Sequence, residues 1–245
     1  MLELVNYTLY LNKMKILKIF LWIIISLVVI VVLAAGYFGL VPGVSTLFGS
    51  NKARDLGVTT SAQVFTTASD KIAMVRSGSA KTGENVSYSG SHPVAVSLSS
   101  EEISSLISNG EWKYNPISED FQMKVNTDGT VEVAGLLNRT RLDGYLKATG
   151  FSNVLTYTSK FNFLPEKVPF YLDGALTITD NNVDLKLTSA EVGRTPLPTD
   201  SGAVGAVKSF IQKRISGVAG MNVTSLDFSN GKLNFNGSLP SKMNF

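Results

Sequence analysis

The stretch FQMKVNTDGTVEV, residues 121–133, decides the fold class of this chain. Apolar and polar residues alternate on both sides of Asp128-Gly129, which is the period of a strand with one buried face. Asp-Gly is a dipeptide that tight hairpin turns favour, because its second residue readily adopts a positive φ. The stretch therefore predicts a β-hairpin, with these residues on its apolar face: Phe121, Met123, Val125, Val131 and Val133.

The same pattern of alternating residues around a turn recurs further along the chain. Alternating apolar residues flank the turn Asp180-Asn181-Asn182 and again the turn Asn230-Gly231. Ser99 followed by Glu102 is a capping box that predicts a helix ending before Gly110. Residues 201–218 carry the longest amphipathic helical stripe after residue 40. Hairpins with segregated helices predict an α+β fold, in which a curved, mainly antiparallel sheet packs on the long helix.

An uncharged apolar run from Ile19 to Leu40 precedes this region. As a helix it would measure roughly 33 Å, enough for a hydrocarbon core of about 30 Å. Lys13, Lys15 and Lys18 lie just before it, and basic residues favour the cytoplasmic flank. The run therefore predicts a single-pass transmembrane helix, retained as a signal anchor. The alternative is a cleaved signal peptide, whose apolar region is usually shorter, about 7–15 residues.

This interpretation divides the chain into four parts. Residues 1–18 are predicted as a cytoplasmic N-terminus, 19–40 as the transmembrane helix, 41–91 as a juxtamembrane or linker region, and 92–245 as an extracytoplasmic α+β domain. The predicted location is the cell membrane, with the C-terminal domain outside the cytoplasm. Membrane lipid is the expected partner, and the identity of a protein partner is left open.

The composition excludes several classes of protein. There is no cysteine, so disulfides and thiolate metal sites are excluded. Of 22 basic and 19 acidic residues, three lysines and Glu3 precede residue 41, which leaves 19 against 18 and a net charge of +1. A nucleic-acid-binding domain would carry a clustered basic surface, so no nucleic-acid partner is expected. His92 is the sole histidine, and no phosphate-binding loop or nucleophile elbow occurs, so we expect a non-enzyme without metal or cofactor.

Four segments resemble one family of proteins. They are LSSE at 98–101, KVPF at 167–170, NVDLKL at 182–187 and VGRTPLP at 192–198. Together they resemble the YpmS-like membrane-anchored proteins of bacteria, over roughly residues 93–240. The resemblance implies a shape similar to the tubular lipid-binding (TULIP) and mycobacterial LmeA-like folds, where a curved sheet wraps a long helix and holds lipid chains. It carries over no functional residue.

The sequence thus predicts a membrane-tethered, non-catalytic domain that binds lipid or another amphiphile in the cell envelope. The alternative is an envelope scaffold that binds a protein or polymer partner, and a hydrolase would need a polar cleft that no motif indicates. Aromatic residues of a predicted strand and apolar residues of the long helix are the candidate lipid contacts. They are Tyr157, Phe161, Phe163, Val204, Val207, Phe210, Ile211 and Ile215.

Overall fold

The architecture is a curled antiparallel sheet, a half-barrel, with helices packed on it. The computed structural model describes residues 23–41, 43–79, 85–110, 112–150 and 165–245. The strands are β1 Val75–Ser77, β2 Ser87–Ser89, β3 His92–Ser99, β4 Glu119–Val125, β5 Val131–Asn138, β6 Lys167–Thr179, β7 Asn182–Val192, β8 Thr195–Pro196, β9 Asn222–Ser229, β10 Lys232–Leu239 and β11 Lys242–Asn244. The helices are α1 over 23–37, α2 Val44–Phe48, α3 Ala62–Ile72, α4 Ser100–Ser108, α5 Arg139–Ala148 and α6 Ser201–Ser216.

Strand β6 is the centre of the main sheet, whose order is β3-β10-β9-β6-β5-β4. It pairs with β7 over 170–179, with β5 over 167–174 and with β9 at Ile178 and Thr179. A strand has only two edges, so β5 and β9 must share the edge opposite β7. The sheet therefore divides at β6 into a β5–β4 arm and a β9–β10–β3 arm, which gives it its curl. A second small sheet joins β1, β11 and β2.

Two apolar clusters form the core, and the second of them joins the two arms. In the first, Ile215 of α6 is buried with Ile178, Val223 and Phe235 of the sheet. The second lies under α4, where Ile103 is buried among residues of both arms. Its other buried members are Leu98, Val125, Val131 and Phe228. The tips of the β4–β5 and β9–β10 hairpins are therefore held together by the core of one cluster.

The transmembrane helix predicted at 19–40 is wrong. Among the residues that the structure describes, none of the helices is long and apolar enough to cross a membrane. The described part of α1 ends at residue 37 and is about 22 Å long, against a hydrocarbon core of about 30 Å. Hydropathy alone extends it to Leu40, but Gly39 has a φ of 84° and stops it. The amides of Gly39 and Leu40 donate back to Gly36 O and Ala35 O, which is a Schellman C-cap.

The prediction of a single-pass, retained signal anchor, which rested on the length of that helix, is wrong with it. The fold class is corrected accordingly. It is a curled antiparallel half-barrel with helices, without a membrane-spanning helix among residues 23–41 or the later described ranges.

Candidate functional site

The predicted lipid contacts do not converge on one site. Ile211 and Ile215 of α6 face the apolar cluster of the sheet, where Ile215 is buried. Val204 is half-buried, whereas Val207 and Phe210 are both 38% exposed. Tyr157, Phe161 and Phe163 lie outside the described residues. One half of the α6 stripe is thus part of the core, and the other half meets solvent.

Among the residues that the structure describes, most of the exposed large apolar side chains belong to α1. Ten of its large aliphatic side chains are exposed by between 39% and 62%. They are Ile23, Ile24, Ile25, Leu27, Val28, Val29, Ile30, Val31, Val32 and Leu33. Seven of them are consecutive, at residues 27–33, and successive residues of a helix differ by about 100°, so they cover every side of α1. Tyr37 and Phe38, at the C-terminal end of α1, and Leu47 of α2 are exposed as well.

The C-terminal end of α1 is fastened to the body of the protein at two backbone carbonyls. Ser50 Oγ is buried and donates to Gly36 O at 2.7 Å. Arg194 N points at Phe38 O at 3.5 Å, from the turn between β7 and β8. Gly193 makes this approach possible, because a Cβ on that residue would lie 2.4 Å from Phe38 O. The apolar helix therefore leaves the body of the protein at a fixed place, beside the end of β7.

A basic cleft of about 220 Å³ lies at that place. We define it by three cations, Lys52, Arg54 and Arg194, with Tyr171 and Glu191 among its other lining residues. Lys52 and Arg194 are exposed, and the Arg54 side chain is 46% exposed. Three cations and one carboxylate give the cleft a formal charge of +2, in a protein region that is otherwise nearly neutral. The arrangement suits an anion.

The Arg54 side chain is held by two contacts, and the segment that follows it is held by a third. Its Nη2 donates to both carboxylate oxygens of Glu191, at 3.0 and 3.2 Å. Its guanidinium carbon lies 3.6 Å from the centre of the Tyr171 ring, a cation–π contact. The segment that follows is fixed by Gln122 of β4, whose Oε1 accepts from Leu56 N at 2.7 Å. The guanidinium is therefore oriented before any ligand arrives.

Tyr171 links the basic cleft to the β4–β5 arm. Its hydroxyl donates to Glu132 Oε2 at 2.9 Å, and Lys124 lies 3.7 Å from the other carboxylate oxygen. Burial raises the pKa of Tyr171, and the hydrogen bond to Glu132 raises it further. The phenol therefore stays neutral at ordinary pH, and its ring remains an electron-rich face for Arg54.

The sole histidine serves the fold. His92 Nε2 lies 3.0 Å from Ile72 O, at the end of α3, and so joins β3 to that helix. Within the described ranges, His, Asp and Glu form no group of three or more that could hold a metal ion. The prediction of a non-enzyme without metal or cofactor stays a prediction.

Sequence reasoning missed the basic cleft for a definite reason. Arg54 and Glu191 are separated by 137 positions, and Lys52 and Arg54 fall in the region predicted as a linker. Short local patterns carry no information on such pairs. The only local signal is Gly193-Arg194 at the β7–β8 turn, where a glycine with a positive φ permits a close backbone approach.

Comparison with family models, with curated proteins and with solved structures found no match to this chain. The resemblance to YpmS-like proteins and to tubular lipid-binding folds therefore stays a prediction from sequence.

Proposed function

We propose that this protein is a non-catalytic binder of lipid, or of another amphiphile, and that α1 is its principal lipid-contacting element. The observation that carries the proposal is the exposed apolar surface of α1. Its ten aliphatic side chains are about half exposed, on the order of 1,000 Å² in all. Monomeric soluble proteins rarely expose contiguous apolar patches of more than a few hundred Å².

The magnitude of that surface favours association. At about 25 cal/mol per Å², covering it with hydrocarbon is worth on the order of 25 kcal/mol. Binding costs about 4–15 kcal/mol in lost translational and rotational freedom, with further terms for ordering. The free energy of covering the apolar surface exceeds this cost, so α1 is expected to bind a partner whenever one is present.

The distribution of the apolar residues favours lipid over a protein partner. A helix that docks in a protein groove is amphipathic, with one apolar face and one polar face. In α1, residues 27–33 are apolar and exposed on every side. Acyl chains can surround a helix, whereas a protein partner covers one face. The proposal requires only that acyl chains cover α1, not that α1 cross a bilayer.

Vesicle flotation of the full chain tests the proposal. Leu27 and Ile30 are each 62% exposed, so the variant Leu27→Asp/Ile30→Asp removes two of the largest apolar contacts. Full burial of such a side chain is worth about 1.5–3 kcal/mol, so two of them predict at least about 100-fold weaker binding to phosphatidylcholine vesicles. Val75→Asp is the control for a single aspartate at an exposed apolar position, because Val75 is 56% exposed on β1, outside α1.

Native mass spectrometry of the purified chain is the second readout. Wild-type protein is expected to carry co-purifying lipid, and the α1 variant to lose it. A variant that floats as well as the wild type would refute the role of α1. Wild-type protein that ignores vesicles but captures a protein or polymer partner through α1 would favour the alternative, an envelope scaffold. Placement at the cell membrane, outside the cytoplasm, stays a prediction.

A further inference from the structure

We propose that the basic cleft binds the phosphate of an anionic lipid head group, with Lys52, Arg54 and Arg194 as its ligands. The inference rests on the proposed function of α1, and it adds the class of lipid and the residues that select it. Phosphate is the shared chemistry of a phospholipid head group and of free phosphate. The head group is the source that the position of the cleft favours.

The Arg54 guanidinium has hydrogen-bond donors beyond the one that binds Glu191. Both bonds from Arg54 to Glu191 use Nη2, one of three nitrogen atoms of the guanidinium. The fork therefore keeps donors for a second acceptor, and a guanidinium suits the bidentate recognition of phosphate. Lys52 lines the same cleft and supplies a point charge on a flexible side chain. A phosphate would thus meet one oriented donor and one adaptable donor.

The side-chain entropy lost when a phosphate binds in the cleft is small. Arg54 is already oriented by Glu191 and by the Tyr171 ring, so little side-chain entropy remains to be lost. Arg194 is also engaged, since its guanidinium lies 4.9 Å from the Tyr37 ring centre and donates to Phe48 O. Two of the three cations are therefore preorganised. The formal charge of +2 remains to be balanced, and the single negative charge of one phosphate diester would reduce it to +1.

The basic cleft lies next to the apolar surface of α1. Ser50 lines the basic cleft and also hydrogen-bonds Gly36 of α1. Gly193 lines the cleft and contacts Phe38, just after α1. From Leu33 to the end of α1 at residue 37 is about 6 Å of helix. Acyl chains that cover α1 would therefore place their head groups at the level of the cleft. This position favours a lipid head group over free phosphate, which has no acyl chain to contact α1.

The test compares vesicles of phosphatidylcholine with vesicles that also contain phosphatidylglycerol, using the full chain. Wild-type protein is expected to bind both and to prefer the anionic ones. Each unit of charge near an anionic surface changes the binding constant about fivefold, so Lys52→Glu, a change of two units, should lower the anionic preference about 25-fold. Binding to neutral vesicles should not change, because α1 is untouched.

Two further variants separate a phosphate site from general surface charge. Lys242→Glu makes the same change of charge at an exposed residue of β11, outside the cleft, and should keep the anionic preference. Arg54→Lys keeps the charge but removes the fork, and should weaken anionic binding. An Arg54→Lys variant with the wild-type preference would overturn phosphate coordination by the fork.

The outcomes at the level of the vesicles are distinct. Equal binding of the wild type to both kinds of vesicle overturns the head-group site and leaves the proposed function standing. Absence of binding to either kind overturns the proposed function, and this inference with it. Isothermal titration with inorganic phosphate supplies the remaining arm. Tight binding of the ion, lost in Lys52→Glu, together with no anionic preference on vesicles, would assign the cleft to free phosphate and overturn the lipid source.

Discussion

Strand β4 is the last strand of the main sheet, and the serines of α4 hydrogen-bond its outer backbone. Val125 N donates to Ser100 Oγ at 3.0 Å, and Met123 N donates to Ser104 Oγ at 2.9 Å. Ser108 Oγ donates in turn to Phe121 O at 3.3 Å. Four helical residues rise about 6 Å, and two strand residues span about 6.8 Å, so a serine at every fourth position of α4 matches every second residue of β4.

Replacement of Ser104 by alanine tests this arrangement. Ser104 is fully buried, so in the variant the amide of Met123 loses its acceptor and cannot reach water. An unsatisfied buried donor costs about 1–3 kcal/mol, whereas loss of the hydroxyl leaves almost no cavity. We therefore expect Ser104→Ala to lower the free energy of unfolding by about 2 kcal/mol. Ser209→Ala, at an exposed position of α6, should change it by less than about 0.5 kcal/mol.

Urea unfolding of the full chain measures the difference, from the midpoint at constant m-value. Hydrogen exchange at the Met123 amide is the residue-level readout, and it should be faster in the variant. A shift of less than about 0.5 kcal/mol, or an unchanged exchange rate of that amide, would show that Met123 N has another acceptor. An unpaired edge strand also invites association, so the variant is expected to dimerise or aggregate sooner on heating.

Two further predictions concern α1 and the junction of α3 with α4. Gly193→Ala places a Cβ 2.4 Å from Phe38 O, so proteolysis between α1 and the sheet should accelerate. Gly57→Ala is the control, because Gly57 has a φ of 73° but no atom lies within 4 Å of the added Cβ. It should lower the stability by only about 1 kcal/mol and leave the rate of proteolysis unchanged. Burial alone would raise the pKa of Glu102, but hydrogen bonds from Lys71 and Ser99 N and nearby positive charge lower it below its ordinary 4.5. The ionised Glu102 therefore stabilises the fold above pH 4.5, and this contribution is lost as the pH falls through the folded pKa. In urea titrations, the stability difference between wild type and Glu102→Gln should shrink in acid. A difference that stays constant with pH would contradict the assignment.

The hairpins could be predicted because their turns are local. Asn230 and Gly231 have φ values of 55° and 70°, and Asp180 and Asn181 of 49° and 62°, the positive values that such turns require. The capping box is confirmed as well, since Ser99 Oγ accepts from Glu102 N and the Glu102 carboxylate accepts from Ser99 N. Each of these features depends on residues within about four positions of one another.

The division of the sheet at β6 could not be predicted in the same way. It depends on Ile178 and Thr179 pairing with β9 while the start of the same strand pairs with β5, which is a matter of tertiary context. The end of α1 shows the complementary failure. Hydropathy treats residues 38–40 as a continuation of the helix, because it ignores the turn geometry of Gly39. The predicted length of that helix is wrong, and its contact with lipid stays a hypothesis.

The proposed site depends on how α1 is joined to the half-barrel. Its C-terminal end is held by the buried hydroxyl of Ser50 and by the close backbone approach of Gly193, and neither contact is loosened by a rotamer change in a long side chain. Arg54, which precedes α3, and Arg194, which follows β7, line the same cleft, and each lies against an aromatic ring. The apolar helix and the cations therefore keep a fixed spacing. A ligand with a phosphate at one end and hydrocarbon at the other matches that spacing, and a ligand with only one of these parts leaves either α1 or the basic cleft unsatisfied.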